Sequence, residues 1–396
     1  MSRIPSVIRH TARALRASAQ FLAHQLPGDS RLRGAPRGGV MTCREWWEKS
    51  GPQHGVVWQE MFPTAPAKLR EPLHLEPELP AKFRERQEFV LDETFVLNLP
   101  KGRSLGKNAA IITPDDTMLI DVSLEIDQTI THDPWKPSLL TQIAYPRLQQ
   151  TDETVGVIAS YWGEGYFHWF FDALPRLELL QRSGIEIDKY IVNAEFEFQR
   201  ESLRMLGIPE EKWIVAQPGH HLEARQLVMP SLPARMGYLP RRSSEFLRSL
   251  MLPKEAPQQR KRIYISRQKA ARRKLLNPQE IEPLLESYGF EAAFLEEMGV
   301  EEKAELFAGA EAVVALHGAG LSHLVFCPPE IPVIEMFSPH YFQPCYWNLA
   351  SDNDLRYGFL LGEDIGGGGG PNDHPDIKID PAKLETALEN WVGRPH

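Results

Sequence analysis

Between Arg262 and Phe337 the sequence alternates short apolar, β-branched runs with amphipathic stretches, and that alternation limits the fold more than any other feature of the chain. Strands are predicted at Arg262–Ser266, Phe290–Leu295, Ala312–Leu316 and Val333–Phe337. Helices are predicted between them, one over Val300–Ala308 and one opened by "NPQE". In that opening, Asn277 is the expected cap, Pro278 the first helical residue and Glu280 the reciprocal capping partner. Strands alternating with helices imply a parallel sheet covered on both faces. Ligands in such sheets bind at the carboxyl ends of strands. "HGAG", His317 to Gly320, falls at one of those ends and runs into the predicted helix Leu321–Phe326.

The first half has a looser version of the same rhythm. "AAIITPDDTMLIDVS" reads as two strands around a Pro-Asp-Asp turn. Strands are then expected at Thr154–Ser160, Lys189–Ala194, Trp213–Gln217 and Arg225–Met229, with helices near Glu164–Arg182 and Phe196–Leu206. The predicted division is a basic leader and irregular segment over 1–88, a Rossmann-like domain over 89–253, a second over 254–365, and a glycine-rich loop with a closing helix over 366–396.

A chain of 396 residues exceeds one ordinary core, in keeping with two domains. Hydrophobic residues at 42% and charged ones at 24% are typical of a soluble globular protein. The net charge of -9 argues against a nucleic-acid partner. Cys43, Cys327 and Cys345 are too few and too scattered for a zinc site or a disulfide framework, so a reducing compartment is expected. No run is long enough to span a bilayer, and the N-terminus lacks the apolar block of a signal peptide. Residues 4–26 read as a basic amphipathic helix, with Ile8, Leu15 and Leu22 on one side. Such a helix can lie on an anionic membrane, dock on a partner, or remain a disordered leader. A cytoplasmic location follows, with peripheral membrane contact as one use of that helix.

Three stretches could carry chemistry. In "GEGYFHWFFDALPRL", Phe167, Phe170, Phe171 and Leu174 form the core-facing stripe of a helix. His168 and Asp172 flank it, about 40° apart at 3.6 residues per turn. A carboxylate beside an imidazole is a base with its orienting partner, or a local pair that steadies the helix. In "RIYISRQKAARRKLLN", Arg267, Lys269, Arg272 and Arg273 follow a strand at the edge that holds "HGAG", where a diphosphate needs cations. A solvated basic face is the alternative. In "PVIEMF", Glu335 interrupts an apolar strand near its carboxyl end, where it could accept from ribose hydroxyls or simply be exposed. "DND", Asp352 to Asp354, is a short acidic turn and is assigned no metal.

Taken together, "YFHWFFDALPRL", "YISRQKAARRKLLN" and "VVALHGAGLSHLVFCPPEIPVIEMFSP" resemble glycosyltransferase family 61 in content and order. That family includes capsular polysaccharide enzymes and eukaryotic O-GlcNAc and xylosyl transferases. The resemblance implies an α/β fold of GT-B type, two Rossmann-like domains facing across a cleft with the donor nucleotide on the second. It also implies inversion at the anomeric carbon, no obligatory metal and no cofactor beyond a nucleotide-sugar co-substrate, expected to be a UDP-sugar. The signal anchor of eukaryotic members is missing, which favours a bacterial-type enzyme acting on an oligo- or polysaccharide acceptor in capsule or surface polysaccharide synthesis. On this reading His317, Gly318, Ala319 and Gly320 line the donor site, Arg267 and Arg273 neutralise the leaving group, and Glu335 holds the ribose. Asp172, supported by His168, is the expected base, and the two can exchange roles. A pyruvyl transferase-like enzyme and a catalytically silent nucleotide-sugar or glycan-binding protein are the alternative classes.

Overall fold

A computed structural model describes residues 36–123, 145–255, 260–270, 272–364 and 375–394. The basic stretch 4–26 and most of the glycine-rich loop lie outside them. The chain divides into two compact units, and both are discontinuous in sequence. Unit 1 takes residues up to Pro63, Glu93–Arg200 and Gly207–Leu232; unit 2 takes Thr64–Asp92, Glu201–Leu206 and everything from Pro233 onward.

Unit 2 has the parallel sheet that its alternating sequence predicts, with a fifth strand, Arg356–Leu361, beyond the four expected. Strands β5 (Lys261–Ile265), β6 (Phe290–Ala293), β7 (Ala310–Leu316), β8 (Pro332–Phe337) and β9 (Arg356–Leu361) form one sheet in the order β6-β5-β7-β8-β9. Every pairing is parallel. This is a doubly wound sheet, and its strand order reverses beside β5, so the switch point lies between the carboxyl ends of β5 and β7. The helix Val300–Ala308 forms over the predicted residues. The helix after Asn277 also forms, but its expected capping box does not. Asn277 Nδ2 donates to Glu280 Oε2 at 2.6 Å and to the Ile379 carbonyl at 2.8 Å, while Oδ1 accepts from Ile379 N at 3.2 Å. A tertiary backbone partner has displaced the local cap.

Two expected boundaries shift. The helix Arg241–Met251 belongs to unit 2, because Leu247 and Met251 are buried and Arg248 donates to the carbonyls of Val325 and Cys327. The division therefore falls after Leu232 rather than at 253. The segment 1–88 is not simply irregular. It contains the strand Gly38–Val40, the helix Cys43–Ser50 and the strand Val57–Phe62 of unit 1. It also sends Thr64–Asp92 into unit 2, where Phe83 is fully buried against the rings of Phe337, Phe342, Trp347 and Phe359. The closing helix Pro381–Trp391 completes that core through Leu384, Ala387 and Leu388.

Unit 1 departs from the expected Rossmann-like sheet. A parallel block exists, with β1 (Gln149–Val157) between β4 (His221–Pro230) and β2 (Lys189–Val192), and β3 (Trp213–Val215) outside β2. Beyond β4 the sheet becomes an antiparallel meander through Arg103–Leu105, Ala110–Ile112 and Thr117–Leu119. The result is α/β with a mixed sheet.

Candidate functional site

In unit 1 the loop after β1 leads into the segment that carries His168 and Asp172. The expected continuous helix Glu164–Arg182 is broken in three: a turn at Tyr166–His168, a π-helical turn at Trp169–Ala173, and an α-helix from Arg176 to Arg182. Leu174 N donates to Trp169 O at 2.9 Å, the i to i+5 bond of a π turn. Such turns are rare and cluster at functional sites. Trp169, Phe170, Phe171 and Leu174 are all buried, so the apolar stripe widens into a buried girdle.

His168 Nδ1 and Asp172 Oδ2 are 2.7 Å apart. Their side chains are 27% and 3% exposed. Solvent reaches the imidazole and hardly touches the carboxylate, so the geometry favours the reverse of the first role expected. The contact lets the carboxylate orient the ring, and the imidazole is the half of the pair that solvent reaches.

Arg176, which the sequence did not single out, follows on the next turn and is 1% exposed. Its guanidinium donates to the carbonyls of Ala159 at 2.5 Å and Pro230 at 2.7 Å, tying together the chain beyond β1 and the end of β4. Burial lowers its pKa to about 10. An arginine one turn beyond an Asp in an apolar helix was the available signal.

In unit 2 the chain after β5 and the chain after β7 meet at the switch point. Arg267 donates from Nε to the Arg273 carbonyl at 3.1 Å and from Nη2 to the Arg272 carbonyl at 2.8 Å. A Cβ built on Gly318 would lie 2.2 Å from Arg267 Nη1. Gly318 is extended (φ 176), so this close approach, not its dihedral, is what requires glycine. Gly320 is likewise limited by packing, against Leu295 and Ile265. The room these glycines leave is therefore filled by protein atoms, and it is the Arg267 guanidinium that lines the turn. Arg273 adopts φ 55, a conformation uncommon outside glycine, and its guanidinium lies 5.3 Å from the Tyr341 ring centroid. Its Nε is buried without a partner. Among the described residues, neither Arg267 nor Arg273 pairs with a carboxylate. Burial first, and then the Arg273 charge, push the Arg267 pKa down. By contrast, Lys269 is neutralised by Glu297 and Arg272 is exposed. Ala319 opens a 3-10 helix to Phe326, whose first N–H groups lack intrahelical partners.

Glu335 is not an open strand-end carboxylate. It is 0% exposed and both its oxygens are engaged: Oε1 is 2.5 Å from His317 Nδ1, and Oε2 accepts from the Tyr357 hydroxyl at 2.5 Å. Strand register explains the constellation. Ala315 pairs with Glu335 and Val333 with Tyr357, so His317 and Tyr357 sit diagonal to Glu335 on one face of the sheet. A carboxylate so enclosed orients His317, and the expected ribose contact does not fit it. Burial, and then the Glu335 charge, hold the Tyr357 pKa well above the phenolic range, so Tyr357 remains a donor. His317 packs against the rings of Phe337, Tyr341 and Tyr346. Tyr341 thus touches both the imidazole and Arg273. Tyr357 and Tyr341 were missed in the sequence; a Glu inside a buried strand was the signal that donors must stand beside it.

"DND" has a structural explanation. Asp354 pairs with Arg70 at 3.1 Å and Arg241 at 2.9 Å, and Asp352 accepts from Asn348 at 2.8 Å.

Residues 166–334 match the family described as Glycosyltransferase 61. The match is to that segment alone, less than half of the chain. The matched segment begins at the His168–Asp172 turn, includes Arg267, Arg273 and His317 to Gly320, and stops one residue before Glu335. A relative is the EGF domain-specific O-linked N-acetylglucosamine transferase of Drosophila melanogaster, 32% identical over 122 residues. The aligned stretch covers 29% of this chain and 22% of that protein.

Proposed function

We propose that the protein is an inverting glycosyltransferase that moves a sugar from a nucleotide-sugar, a UDP-sugar in the first instance, to a glycan acceptor. What carries the reading is the pair of arginines at the unit 2 switch point, inside the matched segment and, among the described residues, without carboxylate partners. Two guanidiniums in a partly buried site attract an anion and stabilise charge that grows on a leaving diphosphate. In this GT-B reading unit 2 holds the donor and unit 1 serves the acceptor. His168 takes the acceptor hydroxyl proton, the hydroxyl oxygen attacks the anomeric carbon, and the bond to the diphosphate breaks. A single displacement inverts the centre. Arginines in place of a metal make the reaction metal-independent, and surface polysaccharide assembly is the proposed setting. The test is calorimetry with UDP, GDP, CDP and ADP. Binding of one of them, at least tenfold weaker in Arg267→Ala, is expected; no binding to folded protein sinks the donor site.

A further inference from the structure

Among the described residues seven large apolar side chains are exposed, and two of them are aromatic: Trp162 at 37% and Phe196 at 41%. Both lie just beyond the carboxyl ends of neighbouring parallel strands in unit 1, Trp162 after β1 and Phe196 after β2. The two loops are fastened to each other. Ser160 N donates to Asn193 Oδ1 at 2.9 Å, and Gln199 Nε2 donates to the Gly163 carbonyl at 2.7 Å. A Cβ on Gly163 would stand 2.3 Å from Asn193 Oδ1, so this junction has no slack.

The two rings also have aromatic neighbours. Trp162 lies 5.8 Å from the His168 ring, and Tyr161 meets it edge-on at 4.8 Å. Phe196 stacks on Phe198 at 5.7 Å with an 8° interplanar angle, Phe198 meets Tyr166, and Tyr166 stacks on the buried Phe170 at 4.8 Å. Exposed apolar surface on a membrane- or protein-docking face is normally contiguous. Here two exposed rings stand on partly exposed aromatics (Tyr161, Tyr166 and Phe198), and their loops also carry charge: Glu164, paired with Lys107 at 2.5 Å, and the exposed Glu195 and Glu197. A pyranose matches that arrangement. Its C–H face lies on the electron-rich face of a ring, and its hydroxyl rim meets the polar border.

We infer that Trp162 and Phe196 are two sugar subsites of the acceptor glycan, with Trp162 seating the ring whose hydroxyl faces His168. This rests on the glycosyltransferase reading and specifies its acceptor side. The Trp162 and His168 ring centroids are 5.8 Å apart, so a sugar held at the indole has the imidazole for a neighbour.

Saturation-transfer NMR with methyl pyranosides of glucose, galactose, mannose and N-acetylglucosamine, and with maltotriose and chitotriose, tests this on the full chain. Saturation should concentrate on the C–H protons of one sugar face. Trp162→Ala should weaken binding about tenfold, the scale of a lost aromatic contact, while Trp162→Phe retains most of it. Phe196→Ala should weaken the trisaccharides and leave the methyl glycosides unchanged. Equal signals in wild type and Trp162→Ala overturn the proposal, as does the absence of any signal in the wild type. Release of UDP from UDP-N-acetylglucosamine, UDP-glucose and UDP-galactose is measured alongside. If the wild type hydrolyses a donor but no glycoside binds, the subsites fall and the enzyme reading stands. If it neither hydrolyses donors nor binds nucleotides, the enzyme reading itself fails.

Discussion

His168 meets Asp172 four residues further along the same helical segment, whereas His317 meets Glu335 eighteen residues away, across two parallel strands. The first pair exists as soon as one turn forms, and its imidazole remains open to solvent. The second exists only when β7, β8 and β9 are in register, and its carboxylate has a partner on each oxygen. His317 is 4% exposed and packed among aromatic rings. An imidazole that must pass a proton needs access and a carboxylate behind it. One held rigidly in a buried network is suited to making a fixed contact. The same two functional groups are thus open to solvent in unit 1 and locked into a buried network in unit 2.

The largest effect expected from this contrast is on turnover. His168→Ala should slow transfer by about 10²–10⁴-fold with nucleotide affinity unchanged. Asp172→Asn should fall toward the lower end of that range, because the ring loses its charged partner but keeps its place. If His317→Ala abolishes turnover at unchanged nucleotide affinity while His168→Ala is harmless, the assignment of the two pairs is reversed. Next comes nucleotide binding. Arg267→Ala should weaken UDP by roughly 10–100-fold, the scale of a lost charge-assisted hydrogen bond. Titration calorimetry reads this directly, and a wild-type affinity would separate the arginine from the donor.

Tyr357→Phe should act more gently and through position. It leaves a buried carboxylate one donor short, at a cost of about 1–3 kcal/mol in stability. Donor KM should rise more than turnover falls. A change confined to melting temperature would make the buried network structural only. In pH dependence the two units should again differ. Burial, and then His221, lower the His220 pKa in unit 1 from 6.5 to about 4. The native state therefore binds fewer protons across that window, and stability that is full above 6.5 is lost as pH falls toward 4. Burial raises the Asp352 pKa in unit 2 from 3.8 to about 8. Here the native state holds the extra proton, so stability present below 3.8 is lost as pH rises toward 8. Thermal melts from pH 4 to 8 should show His220→Gln flattening the acid slope and Asp352→Asn the alkaline one. Unchanged slopes would show that other groups set the pH response.

Local order was legible in the sequence. The helix Val300–Ala308 and the strands of unit 2 follow from hydrophobic period and length, and "HGAG" was placed correctly at a strand end. What could not be read depends on register or on distant chain. Glu335 looked like a strand-end acceptor because its two donors arrive from β7 and β9, and no local pattern encodes that pairing. Asn277 had the sequence of a cap but found the Ile379 backbone, about a hundred residues away. The π turn escaped because the apolar stripe of "FHWFFDAL" fits an ordinary helix equally well, and only the burial of every side chain around Trp169–Ala173 distinguishes the two.

The placement of Phe83 in unit 2 has a consequence for how the protein is made. Residues 64–92 leave the ribosome long before their partners in β8 and β9, which end at Leu361. At roughly 5–20 residues per second, that segment waits on the order of tens of seconds with the Phe83 side chain uncovered. Unit 2 cannot close until almost the whole chain has been synthesised, so a premature stop anywhere before Leu361 strands the early segment as well as the late one. A C-terminal piece begun after Asp92 would meet the opposite problem, presenting Phe337, Phe342, Trp347 and Phe359 to water with nothing to cover them. Fragment expression of unit 2 therefore calls for residues 64–92 to be supplied in the same polypeptide.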